Sequence, residues 1–231
     1  MTVPLLTSEN PITLVGGGQA DVDDVRLALS LAPTCVAADG GADLALEAGV
    51  TPAAVIGDMD SISQPARDQI PPAQFHHIAE QDSTDFDKAL RHLSAPVVVA
   101  VGFAGGQIDH ALSVLHTLVQ RPDRPVVVLA QKDVVFLCPA RFALEMPAGT
   151  RVSLFPMGPV RGRSAGLHWP IDRIDFAPGF RAGTSNRATG DIRLEMEAPN
   201  MLCILPRAFI QPVVSALAAL PKPARWPVRA G

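Results

Sequence analysis

The feature that most constrains this chain is a unit that recurs through its first 130 residues. A short apolar run meets a turn bearing glycine or aspartate, and a stretch of helical spacing follows. Ile12-Thr13-Leu14-Val15 runs into Gly16-Gly17-Gly18. Residues 21–31 come next, with Val22, Val25 and Leu29 on one side and acids at the start, where the helix dipole favours them. Cys35-Val36-Ala37 leads to Asp39-Gly40-Gly41 and to a helix predicted over 42–48, which ends at Gly49. Val55-Ile56 leads to Gly57-Asp58-Met59-Asp60-Ser61, and a helix is predicted over 84–93. The apolar run 97–101 precedes Gly102, Gly105-Gly106 and a predicted helix over 108–119, and the run 126–129 closes the series. Short, almost wholly apolar runs mark strands buried on both faces. The spacing therefore predicts an α/β domain, a parallel sheet with helical crossovers.

The texture changes near residue 140. Beyond it the segments are short and separated by Pro, Gly and Asn, as at 152–155, 192–196 and 201–205. No helical spacing returns until 209–220, where Pro212 interrupts it. That pattern predicts a smaller antiparallel β domain, a sandwich or barrel. The expected division is 1–140 and 141–231, with a loose Pro-rich tail after Pro221. With 48% hydrophobic and 18% charged residues, the chain can bury a core and is not a disordered one. No apolar run approaches the roughly 18 residues of a membrane span. No base precedes the first apolar residues, so no secretory signal is expected. Cys35, Cys138 and Cys203 lie far apart and form no CxxC pair. Disulfide frameworks and zinc ribbons fit poorly, and a reducing cytoplasm fits well.

Charge is divided unevenly. Residues 1–140 carry 17 acids against 7 bases, whereas 141–231 carry 6 against 12. An acidic half suits divalent cations. The arginines of the second half are scattered, with few aromatics to stack bases, so nucleic acid is not an expected partner.

In an open parallel sheet, ligands bind at the carboxyl ends of the strands. Asp39, Asp58, Asp60 and Asp109 fall there, with Gly16 to Gly18, Gly40-Gly41 and Gly105-Gly106. Asp58 and Asp60 on a tight loop after Gly57 can converge on one Mg²⁺, or can be two solvated acids of a turn. Asp82, Asp85 and Lys88 are spaced by three: Asp82 or Ser83 can cap the helix, while Asp85 and Lys88 share a face. Lys88 is one of only three lysines, and at a helix start beside acids it can serve as a point charge for phosphate. Glycine turns offer N–H groups to phosphate oxygens. Asp21 occupies the last position of a would-be G-x-G-x-x-G, and neither a Walker A loop, a kinase signature nor a G-x-S-x-G elbow is present. Nucleotide chemistry here must use carboxylate-held metal and glycine turns.

Together these strings resemble the thiamine pyrophosphokinases. The matching pieces are Asp39-Gly40-Gly41-Ala42, Gly57-Asp58-Met59-Asp60-Ser61, the run from Gln81 through Asp82, Asp85 and Lys88 to Leu90, and Gly105-Gly106-Gln107-Ile108-Asp109-His110. Leu154-Phe155-Pro156-Met157, Gly166-Leu167-His168-Trp169-Pro170 and Thr184-Ser185-Asn186 follow in order. The resemblance implies an α/β ATP-binding domain, a thiamine-binding β-sandwich and a homodimer with a shared active site. It implies transfer of the diphosphoryl group of ATP to the hydroxyl of thiamine, releasing AMP. On matching positions, Asp58, Asp60 and Asp85 would hold Mg²⁺. Asp39, Gly40, Gln81, Asp82, Lys88, Gly105, Gly106, Gln107 and Asp109 would line the nucleotide and substrate site. Trp169, Ser185 and Asn186 would shape the thiamine pocket, an indole being a good face for a cationic heteroaromatic. The family usually has Arg where this chain has Gln107, and Asn where it has Val114, which removes a guanidinium able to clamp phosphate. The rival readings are a diphosphokinase for another small alcohol, such as a hydroxymethylpterin, and a non-catalytic thiamine- or nucleotide-binding protein.

Overall fold

A computed structural model describes residues 3–80, 82–221 and 224–228. The chain divides into two units: Met1–Thr117 with Val128–Gln131, and Leu118–Val127 with Lys132–Gly231.

The first unit alternates strands and helices. In order they are β1 (Leu6–Thr7), β2 (Ile12–Val15), α1 (Val22–Leu31), β3 (Thr34–Ala38), α2 (Gly41–Glu47), β4 (Ala54–Gly57), α3 (Gln64–Gln69), β5 (Phe75–His77), α4 (Asp85–His92), β6 (Leu93–Ser94) and β7 (Val98–Val101). Next come α5 (Ile108–Gln120) and β8 (Val126–Leu129), both of which straddle the division. All pairings within the first unit's named strands are parallel: β2 with β7, β3 with β4, β4 with β5, and β1 with β6. Every residue of β2, β4 and β7 is buried, which is why these runs carry no polar alternation. Thr13 is the polar exception, and its hydroxyl donates to the Ala32 carbonyl at 2.7 Å.

Local chemistry sets the helix starts. Asp21 and Asp24 exchange side chain to backbone hydrogen bonds in a capping box at the head of α1. Ser63 caps α3 through the Ala66 N–H. At α4 the cap is Thr84, which accepts from the Asp87 N–H at 3.3 Å, rather than Asp82 or Ser83. Ser83 is engaged elsewhere, its hydroxyl accepting from Arg91 at 2.8 Å, and Asp82 is left exposed.

The second unit holds β9 (Asp133–Leu137), β10 (Arg141–Leu144), β11 (Arg151–Pro156), β12 (Gly162–Leu167), β13 (Thr184–Met196), β14 (Met201–Pro206) and α6 (Ile210–Ala218). Its strands pair antiparallel: β9 with β14, β14 with β11, and β11 with the first residues of β13. The far end of β13 pairs with both β10 and β12. The molecule is thus an α/β fold with mixed sheets. The second unit takes in Leu118–Val127 as well as the chain from Lys132, and β9 pairs with β14 among its antiparallel strands. Pro212 is tolerated as the third residue of α6, in the first turn, where a backbone N–H has no intrahelical partner to lose. The tail beyond Pro221 is not wholly loose. Ala224 is buried, and the Trp226 indole donates to the Cys138 carbonyl at 2.9 Å. No helix among the described residues is long and apolar enough to cross a membrane.

Candidate active site

The carboxyl ends of β2, β3, β4 and β7 open onto one cleft of about 780 Å³, lying wholly in the first unit. Its floor is built of main chain. Gly16 to Gly18 follow β2, Gly40 follows β3, and Gly102, Gly105 and Gly106 follow β7. Gly102 has φ 78°, and a Cβ there would lie 2.3 Å from the Gly16 carbonyl, so the two turns touch backbone to backbone. Phe86 and Phe103 form one wall, their rings 4.7 Å apart at 52°. Gln107, His110, Ser113 and Val114 form another.

Acids converge beside this cleft. Asp39, Asp58 and Asp60 each offer a carboxylate oxygen, and the three atoms lie within 4.8 Å of one another. The parallel pairing of β3 with β4, Ala38 opposite Ile56, brings Asp39 to the Asp58 loop from across the sheet. Gly57 is required for that approach, since a Cβ on it would lie 2.9 Å from the Asp39 Cβ. The loop is held from several sides. Met59 and Ile62 belong to an apolar cluster with Ala37, Val55 and Ile70. Met59 adopts φ 66° and Asp39 φ 43°, left-handed conformations rarely taken by residues with side chains. Arg67 donates to the Met59 carbonyl, and Asp43 accepts from both the Ser63 N–H and its hydroxyl.

Asp39 is 4% exposed. One oxygen accepts from the Ser61 N–H at 3.2 Å; the other, Oδ1, is buried without a hydrogen-bond partner. Burial pushes its pKa up, the Ser61 hydrogen bonds pull it down, and the charges of Asp85 and Asp60 push it up again, for a net rise. A buried oxygen with no donor, in a group of hard oxygen ligands on strained backbone, suits a hard cation such as Mg²⁺.

Lys88 is buried, and its ammonium donates to Asp85 at 3.0 Å and to Asp58 at 3.4 Å. Burial alone would lower its pKa, but the hydrogen bond and charge of Asp85, with those of Asp58, overcome this and raise it. Asp85, expected from the resemblance as a third metal ligand, thus engages Lys88, while Asp39 stands with Asp58 and Asp60.

The remaining expected residues are spread more widely. Gly40, Gly105, Gly106 and Gln107 line the cleft. Asp109 is exposed in the first turn of α5, accepting from the His110 N–H at 3.0 Å, and Asp82 is exposed before α4. Gln81 lies outside the described residues. In the second unit, Trp169 is half exposed, with His168 edge-on to it at 4.5 Å. Ser185 is exposed and Asn186 buried, because successive residues of β13 project to opposite faces. Sequence reasoning missed Asp43, Arg67 and Phe103. A single aromatic between Gly102 and Gly105 was a signal for the last; nothing local marked the other two. The three thiols are buried, Cys35 and Cys203 being pushed up to about 12, which leaves them inert.

The raised pKa of Asp39 has a consequence for stability. The folded chain holds that proton more tightly than the unfolded chain, so stability is lost as pH rises from the ordinary carboxylate range through the raised value. Asp39→Asn removes this loss. In metal-free buffer the variant is expected to melt progressively higher than the parent from acid to neutral pH, as followed by thermal denaturation.

Residues 25–129 match the family model described as "Thiamin pyrophosphokinase, catalytic domain". Thiamine pyrophosphokinase 1 of Arabidopsis thaliana is 26% identical over 162 residues, 62% of this chain and 61% of the relative. The thiamine pyrophosphokinase of Bacillus subtilis (strain 168) is 34% identical over 89 residues, 36% of this chain and 42% of the relative. The chain spans about three-fifths of the length of the first curated relatives it matches. Two solved structures share the fold. A thiamin pyrophosphokinase from Geobacillus thermodenitrificans superposes with TM-score 0.70 at 24% identity, covering 85% of this chain and 96% of that one. One from Candida albicans superposes with TM-score 0.70 at 16% identity, covering 87% and 92%.

Proposed function

We propose that this chain, which over residues 25–129 matches the thiamin pyrophosphokinase catalytic-domain model, is a Mg²⁺-dependent thiamine diphosphokinase. The observation that carries the proposal is the meeting of Asp39, Asp58 and Asp60 beside a buried ammonium and a glycine-floored cleft. Carboxylates at strand ends would hold the metal, and the triphosphate would approach the main chain at Gly17 and Gly105, the Gly16, Gly18 and Gly106 N–H groups being bonded to Val101, Gly102 and Gln19. In the reaction the thiamine hydroxyl oxygen bonds to the β-phosphorus and gives up its proton to solvent. The bond from that phosphorus to the α-bridging oxygen breaks, and AMP leaves with the bridging oxygen. Mg²⁺, when bound, neutralises charge on the transferring phosphoryl oxygens. Lys88 adds a second fixed positive charge on the same acidic rim, held in place by Asp85 and Asp58, so that positioning and electrostatics supply the catalysis.

Trp169, from the antiparallel unit, is proposed to receive the cationic thiazolium, and a cytoplasmic homodimer with shared active sites belongs to the same reading. Protein incubated with MgATP and thiamine should yield thiamine diphosphate and AMP in equal amounts. Formation of ADP, or of no thiamine product, would overturn the assignment. The shared site has its own test in subunit exchange between two inactive variants, Asp58→Asn and Trp169→Ala. In a mixed C2 dimer one site takes both lesions and the other none, so random exchange should restore about a quarter of the parent activity. No recovery after exchange is verified means that each site lies within one chain.

Gln107 lines the cleft where the resemblance leads one to expect Arg. Gln107→Arg is expected to lower the KM for ATP several-fold, by adding a charge-assisted phosphate contact worth about 1 kcal/mol. An unchanged KM would mean that this side chain does not meet phosphate.

A further inference from the structure

Asn186 sits at the start of β13 and is 1% exposed. Its carboxamide is nearly used up by main chain. The Oδ1 atom accepts from the Trp169 N–H at 3.1 Å and from the Arg187 N–H at 2.9 Å, filling both lone pairs. The Nδ2 atom donates to the Trp169 carbonyl at 2.6 Å. One buried amide therefore grips the Trp169 peptide groups on both sides. Trp169 lies just beyond the end of β12, one residue past the main-chain bond from the His168 N–H to the Arg187 carbonyl at 2.8 Å, and it is 50% exposed. Without the Asn186 bonds, an exposed indole at this strand end would pay an ordering entropy each time it met a ligand.

We infer that Asn186 is a positioning residue for substrate recognition, fixing the main chain of Trp169 so that its indole stands preformed to receive a heteroaromatic cation. This rests on the thiamine diphosphokinase reading, in that Trp169 must meet the substrate. It reassigns Asn186 from a pocket contact to a support: at most one Nδ2 proton remains for any ligand.

The chain offers a direct spectroscopic test, because it has two tryptophans and no tyrosine. With Trp226→Phe as the parent, Trp169 is the sole indole. Asn186→Leu, of similar size but without hydrogen bonds, is compared in that background with Asn186→Asp, which keeps the acceptor and loses the Nδ2 donor. Asn186→Leu is expected to raise the thiamine KM about tenfold, to weaken thiamine quenching of Trp169 by the same factor, and to lower the fluorescence anisotropy of the free protein. Its kcat and its KM for ATP should stay within about twofold, a split that general loss of folding would not produce. Asn186→Asp should fall between, and it carries the same comparison should the Leu variant fail to fold.

Unchanged quenching affinity and unchanged anisotropy in both variants would overturn the inference. A parent that makes thiamine diphosphate while thiamine leaves Trp169 emission unaltered would overturn it too, with the reaction assignment intact. A folded parent that binds thiamine at Trp169 but transfers nothing would instead sink the diphosphokinase reading and leave the clamp standing.

Discussion

Asp60→Asn is expected to lower kcat for diphosphoryl transfer about a thousandfold while leaving the melting temperature equal to the parent's or slightly higher. Asp60 is exposed, so its charge contributes little to the core, and Asn keeps an oxygen for the Ser61 hydroxyl that Asp60 accepts at 2.8 Å. What the substitution removes is one of three carboxylates whose oxygens gather within 4.8 Å. Without a cation such a group repels itself, and Asp60 is one of the charges that hold the Asp39 pKa up. Stability and activity should therefore move in opposite directions, which separates a functional acid from a structural one. Asp58→Asn should lose as much rate but gain no stability, because it gives up the ammonium of Lys88 at 3.4 Å. Initial rates at saturating MgATP, with melting curves in chelator, make the comparison. Full activity of Asp60→Asn at saturating Mg²⁺ would remove Asp60 from the metal site.

What the sequence made legible was whatever lies close along the chain. The runs at 12–15, 126–129 and the core of 97–101 emerge as β2, β8 and β7 because strands buried on both faces are apolar throughout. Asp58 and Asp60 are two residues apart and announce themselves as a pair. Their companion Asp39 is carried to them by a strand register, Ala38 against Ile56, which no local spacing encodes. The supports are less legible still. Arg67 reaches the Met59 carbonyl from α3, and Asp43 reaches Ser63 from α2, and each reads in sequence as an ordinary surface charge on a helix. The second unit was under-read because its strands alternate in burial and blend into loops, β12 carrying Gly162 and Gly166 within six residues. Strand β9 has no local signal of its antiparallel pairing, because its partner, β14, lies more than 60 residues further on.

Replacing Lys88 by Met should have the second large effect, and its sign on metal binding is the informative part. The ammonium is 3% exposed and is shared by Asp85 and Asp58, which are 36% and 20% exposed. Loss of a buried cation from between carboxylates is destabilising, here by about 2 kcal/mol, since the acids keep some access to water. That contribution is present throughout the neutral range: the raised Lys88 pKa means it is lost only as pH climbs through that raised value, above the ordinary lysine range. Methionine fills the buried volume of the stem, so the fold should survive. Asp58 is then free of the ammonium that competes for it, and a divalent cation meets a more negative site. Mg²⁺ or Mn²⁺ should bind several-fold more tightly to Lys88→Met than to the parent, and should raise its melting temperature by more. Turnover should nevertheless fall about a hundredfold, because the fixed positive charge proposed to act on the transferring phosphoryl group is gone. Mn²⁺ titration followed by electron paramagnetic resonance measures the first effect, and AMP release measures the second. Weaker metal binding together with lost turnover would mean that Lys88 organises the carboxylates rather than competing with the cation. Unchanged turnover would remove Lys88 from the site.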